Sequence, residues 1–190
     1  MSVDTQLLFN HVCNRRFFLK ASFFAFSCLI AGPAFPDVIK RLPEGRLRLF
    51  NLHTDDKLTV KYRNSSGQYD STALQELNWV LRCPYTGQAI EMDTAMIEFV
   101  NLVDKRIGRH NEIQVISGYR SPEYNSLLLS EGRHVARGSL HMAGKAMDIR
   151  ISGVDLRKIR DVALDMKLGG VGYYRDSNFV HLDSGRYRTW

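Results

Sequence analysis

Two stretches of this chain alternate apolar and polar positions with the period of two that a half-buried strand requires. They are "RLRLFNL" (46–52) and "KLTVKY" (57–62), and with His53-Thr54-Asp55-Asp56 between them they predict an antiparallel hairpin. The period then changes. "TALQELNWVL" from Thr72, with Gln75 three positions on, carries a capping-box signature for a helix. A second helix is predicted from Asp93, because Met96, Val100, Val103 and Ile107 recur on one face with Phe99 beside them, and Gly108 ends the run. "EIQVIS" (112–117) returns to strand and enters the turn "GYRSPEYN", with a helix predicted from Pro122. "DLRKIRDVALDM" (155–166) predicts another helix, capped by Asp155 and striped by Leu156, Ile159, Ala163 and Met166. Strands are predicted again at 170–174 and 178–183. Strands at both ends, helices between and no strand–helix–strand rhythm predict an α+β fold with a mainly antiparallel sheet flanked by helices.

The same alternation brings out the chemistry. In "KAMDIRI" (145–151), Met147, Ile149 and Ile151 point one way and Ala146, Asp148 and Arg150 the other. In "NFVHLDS" (178–184), Val180 and Leu182 share the oily face, while Phe179, His181 and Asp183 share the opposite one. Asp148 and His181 meet if these strands are neighbours. His141 precedes the first strand, and Gly144 permits a bend that swings it back over the sheet. Two histidines and one carboxylate are a ligand set for a catalytic zinc ion, which keeps a fourth position for water. Taken alone, these residues leave the bland alternative open: a loop histidine beside a strand-end acid.

Composition places the set in one domain. The chain has 190 residues, 44% hydrophobic and 24% charged, enough for a single core. Its net charge of +6 comes without a run of five or six basic residues, so nucleic acid is not an expected partner. The first residues read differently. "NRRFFLKASFFAFSCLIAGPAFP" has paired Arg15 and Arg16, an apolar run and a small-residue exit, the layout of an export signal. The apolar run after Lys20 is about 11 residues, short of the roughly 20 that span a bilayer. Asn14 to Lys20 resembles the twin-arginine export motif, with Asn where Ser or Thr is usual. The expected organisation is a signal peptide at 1–34 and one domain at 35–190, exported by the twin-arginine machinery to a Gram-negative periplasm without a stable membrane anchor. Lipidation at Cys28 is the weaker alternative, because Phe26 spoils the lipobox. Cleavage after Ala34 removes Arg15, Arg16 and Lys20 against Asp4, lowering the net charge by two, and takes Cys13 and Cys28. Cys83 then stands alone and reads as a small buried hydrophobe, so no internal disulfide supports the fold.

Ser139-x-His141-x-x-Gly144-x-Ala146-x-Asp148, followed by "FVHLD" at 179–183, resembles the M15 zinc peptidases, the D-alanyl-D-alanine carboxypeptidases and murein endopeptidases that share a metal site with hedgehog domains. "FNLHT" (50–54), "ISGYRS" (116–121), "GGVGYY" (169–174) and Trp190 extend the likeness over nearly all of the chain beyond the leader. The resemblance implies one zinc ion held by His141, Asp148 and His181. It also implies Arg120 as a binder of substrate carboxylate or carbonyl, Ser139 as a nearby support, and hydrolysis of peptide cross-links in peptidoglycan, whose peptide stems are the expected partner. A non-catalytic peptidoglycan-binding protein with a structural zinc, or a carboxypeptidase, is the alternative. One position departs from the pattern. Many M15 enzymes carry an acid three residues before the last zinc histidine, and here that position is Asn178. Asp183 is left as general base or as partner orienting His181, with His134 a further candidate base. Tyr119, Tyr173 and Tyr174 are candidate cleft aromatics, although ordinary packing accounts for each equally well.

Overall fold

A computed structural model describes residues 44–190 of the chain, apart from residues 109 and 134. The stretch expected to be an export signal, 1–34 with Arg15, Arg16, Cys13 and Cys28, and the candidate base His134 lie outside the described residues. The order of elements is β1 (Gly45–Asn51), β2 (Lys57–Arg63), α1 (Ser71–Val80), α2 (Thr94–Ile107), β3 (Ile113–Ser117), α3 (Pro122–Ser130), a 3₁₀ turn (Leu140–Ala143), β4 (Ala146–Ile151), α4 (Leu156–Met166), β5 (Gly170–Tyr174), β6 (Phe179–Asp183) and β7 (Arg188–Thr189). The strands form one seven-stranded sheet in the order β2-β1-β3-β4-β6-β5-β7.

The sheet is mixed. β1–β2, β3–β4, β4–β6 and β5–β6 pair antiparallel. β1–β3 and β5–β7 pair parallel. The first parallel pairing follows from length: the connection that carries β2, α1 and α2 between β1 and β3 is long enough for a crossover, which a hairpin is not. The two-residue β7 has too few positions to show a period.

The alternation read from the sequence sets the core. Leu47 and Leu49 of β1, Met147, Ile149 and Ile151 of β4, and Val180 and Leu182 of β6 are all buried. α2 lays Met96, Phe99, Val100 and Val103 against them, and α4 adds Ile159 and Ala163. Full burial of each such aliphatic or aromatic side chain is worth roughly 1.5–3 kcal/mol, so this face is where the fold is stabilised. At the β2 end, Arg63 is buried and its Nη2 donates to Glu98 of α2 at 3.1 Å, with the Tyr69 hydroxyl donating to the same carboxylate at 3.2 Å. Cys83 is a buried free thiol, as its reading as a small hydrophobe predicts. No helix among the described residues is long and apolar enough to cross a membrane.

One cap differs from its prediction. α1 starts at Ser71 and is capped by Asp70, whose carboxylate accepts from the Thr72 and Ala73 amides. Thr72 therefore lies inside the helix: an aspartate two residues upstream is the stronger acceptor for free first-turn amides beside the helix dipole. α4 is capped by Asp155 as expected, and α2 and α3 start near Asp93 and at Pro122 as expected, with Asp93 and Ser121 as their caps.

Candidate metal centre

With the core on one face, the other face of β4 and β6 is free for chemistry. The register pairs Asp148 of β4 directly with His181 of β6. Side chains opposite each other in an antiparallel pair stand about 5 Å apart at Cβ, so this pairing alone brings the carboxylate to the imidazole. His141 arrives from the 3₁₀ turn, which Ser139 caps by accepting from the His141 amide. The turn ends at Gly144, which is left-handed with φ 66°. A Cβ at Gly144 would lie 2.8 Å from the Glu91 carbonyl oxygen, so both conformation and space demand glycine there.

The three side chains form a group able to hold a metal ion, with one ligand atom from each lying within 4.8 Å of the others. Their outer contacts decide which atoms those are. His141 Nδ1 is 2.8 Å from the Gly118 carbonyl oxygen. His181 Nε2 is 3.2 Å from Asp183 Oδ2. Both partners only accept, so those nitrogens carry the hydrogens and leave His141 Nε2 and His181 Nδ1 with lone pairs facing inward. The inward nitrogens are 3.2 Å apart, and Asp148 Oδ1 lies 2.7 Å from His181 Nδ1 and 3.3 Å from His141 Nε2. Lone pairs and a carboxylate at such distances repel unless a proton or cation lies among them. Tetrahedral zinc with bonds of about 2.0–2.1 Å sets its ligand atoms about 3.3 Å apart. Two edges of this triangle match that spacing, and the third, at 2.7 Å, needs to open by about 0.6 Å.

The electrostatics follow from the same geometry. Burial pushes the Asp148 carboxyl up, but the imidazoles of His141 and His181 outweigh it and hold the group well below the usual carboxylate range. Burial pushes His181 down, and its hydrogen bonds to Asp148 and Asp183 outweigh that, so its pKa is raised. In the metal-free protein a proton therefore competes for the place a metal ion would take.

Asp183 is fully buried. Its Oδ1 accepts from Arg188 Nη1 at 2.9 Å, from the Gly185 amide at 2.8 Å and from the Gly170 amide at 3.3 Å. Its Oδ2 faces His181 Nε2 and Arg188 Nη2, the latter at 2.8 Å. Burial raises its pKa, but the bonds from His181 and Arg188 prevail and lower it. Every lone pair in reach is in use, which is the environment of an orienting partner. Asn178 lies in the turn just before β6 with φ 57° and lines a separate cavity with Asp155, Arg157 and Arg175.

A cleft of about 170 Å³ opens over the triad. Arg120, Ser139, Tyr174, Phe179, Arg188 and Trp190 are among its walls. Arg120 comes from the turn after β3. It is buried, with Nη2 3.3 Å from Ser117 Oγ and 3.5 Å from Asp148 Oδ2, while its Nε has no partner among the described residues. Of the three candidate aromatics, Tyr174 lines the cleft. Tyr119 is buried in the core, and Tyr173 faces the other cavity with Arg160 4.8 Å over its ring. Successive strand residues point to opposite faces, so Tyr173 and Tyr174 cannot both line one cleft. Arg188, the Gly118 carbonyl and Trp190's place beside His181 have no spacing signal in the sequence. The aromatic–glycine alternation of "GGVGYY" was the available clue to a face cleared of side chains.

Comparison with known proteins agrees with this geometry. The family model Peptidase_M15_2, described as peptidoglycan L,D-endopeptidase MepK, matches residues 42–190. The probable peptidoglycan L,D-endopeptidase MepK of Haemophilus influenzae is 37% identical over 150 residues, 78% of this chain and 80% of that protein. The peptidoglycan L,D-endopeptidase MepK of Escherichia coli K12 is 36% identical over 164 residues, 86% of this chain and 89% of that protein. The chain, with its α+β fold and its two-histidine, one-carboxylate cluster, belongs to the Peptidase_M15_2 family of M15-type peptidases.

Proposed function

We propose that the protein is a zinc-dependent endopeptidase that hydrolyses peptide cross-links of peptidoglycan in the periplasm. The observation that carries the reading is the triad, in which His141 Nε2, Asp148 Oδ1 and His181 Nδ1 converge at 2.7–3.3 Å with both histidine tautomers set from outside. Relatives named peptidoglycan L,D-endopeptidase support the substrate class. Residues 1–34 serve as a twin-arginine signal in this reading, and 35–190 as the peptidase domain. A zinc ion in the triad would supply a Lewis acid that polarises the scissile carbonyl and acidifies a water molecule near neutral pH.

The chain's own residues do the rest. Asp148 contributes negative charge and binds beside Arg120, whose planar fork of donors suits a carboxylate of the peptide stem. The Arg120 guanidinium needs no reorganisation to do so, because Ser117 and Asp148 already hold one end and its Nε is unpartnered. Ser139 holds the turn that delivers His141. Asp183 keeps the His181 hydrogen on Nε2 and, saturated by Arg188 and two amides, does not serve as the base.

Digestion of purified sacculi tests the reading. Wild type is expected to release uncross-linked muropeptides, and His181→Ala none. Binding to sacculi by both without release would instead identify a non-catalytic peptidoglycan-binding protein, and products shortened only by a terminal residue would identify a carboxypeptidase.

A further inference from the structure

Resting on the endopeptidase reading, we infer that the Tyr174 hydroxyl is a substrate-binding hydrogen-bond donor of the cleft and that Trp190 is the residue that aims it. The inference begins with an absence of side chains. On β5 the cleft-facing positions are Gly170, Gly172 and Tyr174, opposite Asp183, His181 and Phe179 of β6. Gly172 thus lies across from a triad histidine, and the Trp190 indole occupies the space its missing side chain leaves: a Cβ there would come within 2.7 Å of the ring. The indole is held from several sides. Its ring centroid is 5.3 Å from that of His181, Arg188 lies 4.8 Å over its face, and its backbone exchanges hydrogen bonds with Val171 and Tyr173 at 3.3 and 3.0 Å.

From this seat the indole Nε1–H donates to the Tyr174 hydroxyl oxygen at 2.8 Å. Phe179 stacks on the Tyr174 ring at 4.6 Å and 19°, which leaves the phenol little freedom to turn. A phenolic oxygen that accepts from an indole must direct its own hydrogen elsewhere. Among the described residues that hydrogen has no acceptor, and Tyr174 is half-buried in the wall of the cleft. The O–H therefore points to whatever lies in the cleft. Among the described wall residues the other side-chain donors include the Ser139 hydroxyl and the guanidinium groups, of which Arg188 is committed to Asp183. Tyr174 supplies a neutral, directional donor for a carbonyl oxygen of the peptide, two positions along β5 from the residue facing His181.

A double-mutant cycle on the full-length protein, with a defined cross-linked muropeptide dimer as substrate, separates this from simple wall packing. Tyr174→Phe is expected to lower kcat/KM about 10-fold, mainly through KM, as loss of one aimed hydrogen bond does. Trp190→Phe keeps an aromatic ring but deletes the Nε1–H, and is expected to lower it about 3- to 10-fold. In the Tyr174→Phe background Trp190→Phe should then cost nothing more, with melting temperatures checking that each variant is folded. Equal cost in both backgrounds, or no cost in either, overturns the inference and makes Trp190 a packing residue. Should Trp190→Phe not fold, Gly172→Ala displaces the indole and is read in the same cycle. A wild type without activity on the dimer removes the endopeptidase reading itself, and the inference with it.

Discussion

Asp183→Asn is the sharpest perturbation of the centre, because it keeps shape and removes charge at a residue with no access to solvent. In the wild type Asp183 Oδ2 accepts from His181 Nε2 at 3.2 Å and from Arg188 Nη2 at 2.8 Å, while Oδ1 serves Arg188 Nη1 and the amides of Gly170 and Gly185. Asparagine can supply only one acceptor. With its oxygen turned to the two amides, its NH₂ faces His181 Nε2 and prefers a lone pair there, which moves the imidazole hydrogen to Nδ1. Nδ1 is the nitrogen aimed at Asp148. The tautomer is therefore wrong for a metal, and loss of such an outer partner weakens metal binding about 10- to 100-fold. Stability falls too. Charge-assisted hydrogen bonds contribute about 1.5–3 kcal/mol, but the Arg188 side chain is 36% exposed and rehydrates in part. A cost of about 2 kcal/mol, or a drop of about 4–8 °C in melting temperature for a domain of this size, is expected. Zinc affinity by competition with a chromophoric chelator, and melting of the stripped protein, measure the two. An Asp183→Asn protein that binds zinc as tightly as wild type would refute the orienting role.

Acidity should act on the stripped protein from two sides. The depressed Asp148 and Asp183 carboxyls stabilise the fold above the ordinary carboxylate range of about 4 and lose that contribution as pH falls through their folded values. The raised His181 contributes fully below about 6.5 and loses its contribution as pH rises through its folded value. Melting temperature without metal is thus expected to peak between pH ~4 and ~6.5, and zinc should remove the decline on the alkaline side. Gly144→Ala forces a left-handed alanine costing about 1–2 kcal/mol and drives Cβ toward the Glu91 carbonyl, so calorimetry should show a lower melting temperature and titration weaker metal binding. Arg120→Lys keeps the charge but loses the fork; KM for the cross-linked substrate should rise about 10-fold or more with zinc affinity little changed.

Much of the centre was legible because strands repeat every two residues. Reading Asp148 and His181 onto the faces opposite Met147 and Val180 required only alternation and a neighbouring strand, and the register realises both. Gly144 announced the bend that returns His141. What escaped the sequence depends on contacts far apart along the chain. The Gly118 carbonyl that sets the His141 tautomer lies 23 residues away, and a backbone carbonyl has no residue type to notice. Arg188 reads as one more basic residue until the fold sets it on Asp183. The parallel pairing of β1 with β3 skips a hairpin and two helices, which local periodicity cannot encode. For Tyr119 and Tyr173 the sequence left cleft and packing equally open, because aromatic identity carries no direction; Tyr119 lies in the turn beyond β3, and Tyr173 lies on the face of β5 opposite Tyr174.

The central claim is that His141, Asp148 and His181 hold a zinc ion on which cleavage of peptidoglycan cross-links depends. Stripping the purified protein with a chelator and titrating zinc back, while following hydrolysis of a defined cross-linked muropeptide dimer by mass, tests it directly. The account predicts no cleavage in the stripped protein, full recovery at one zinc per chain, and no recovery in His181→Ala. Undiminished cleavage by the stripped protein, or an idle protein carrying one tightly bound zinc, would contradict it.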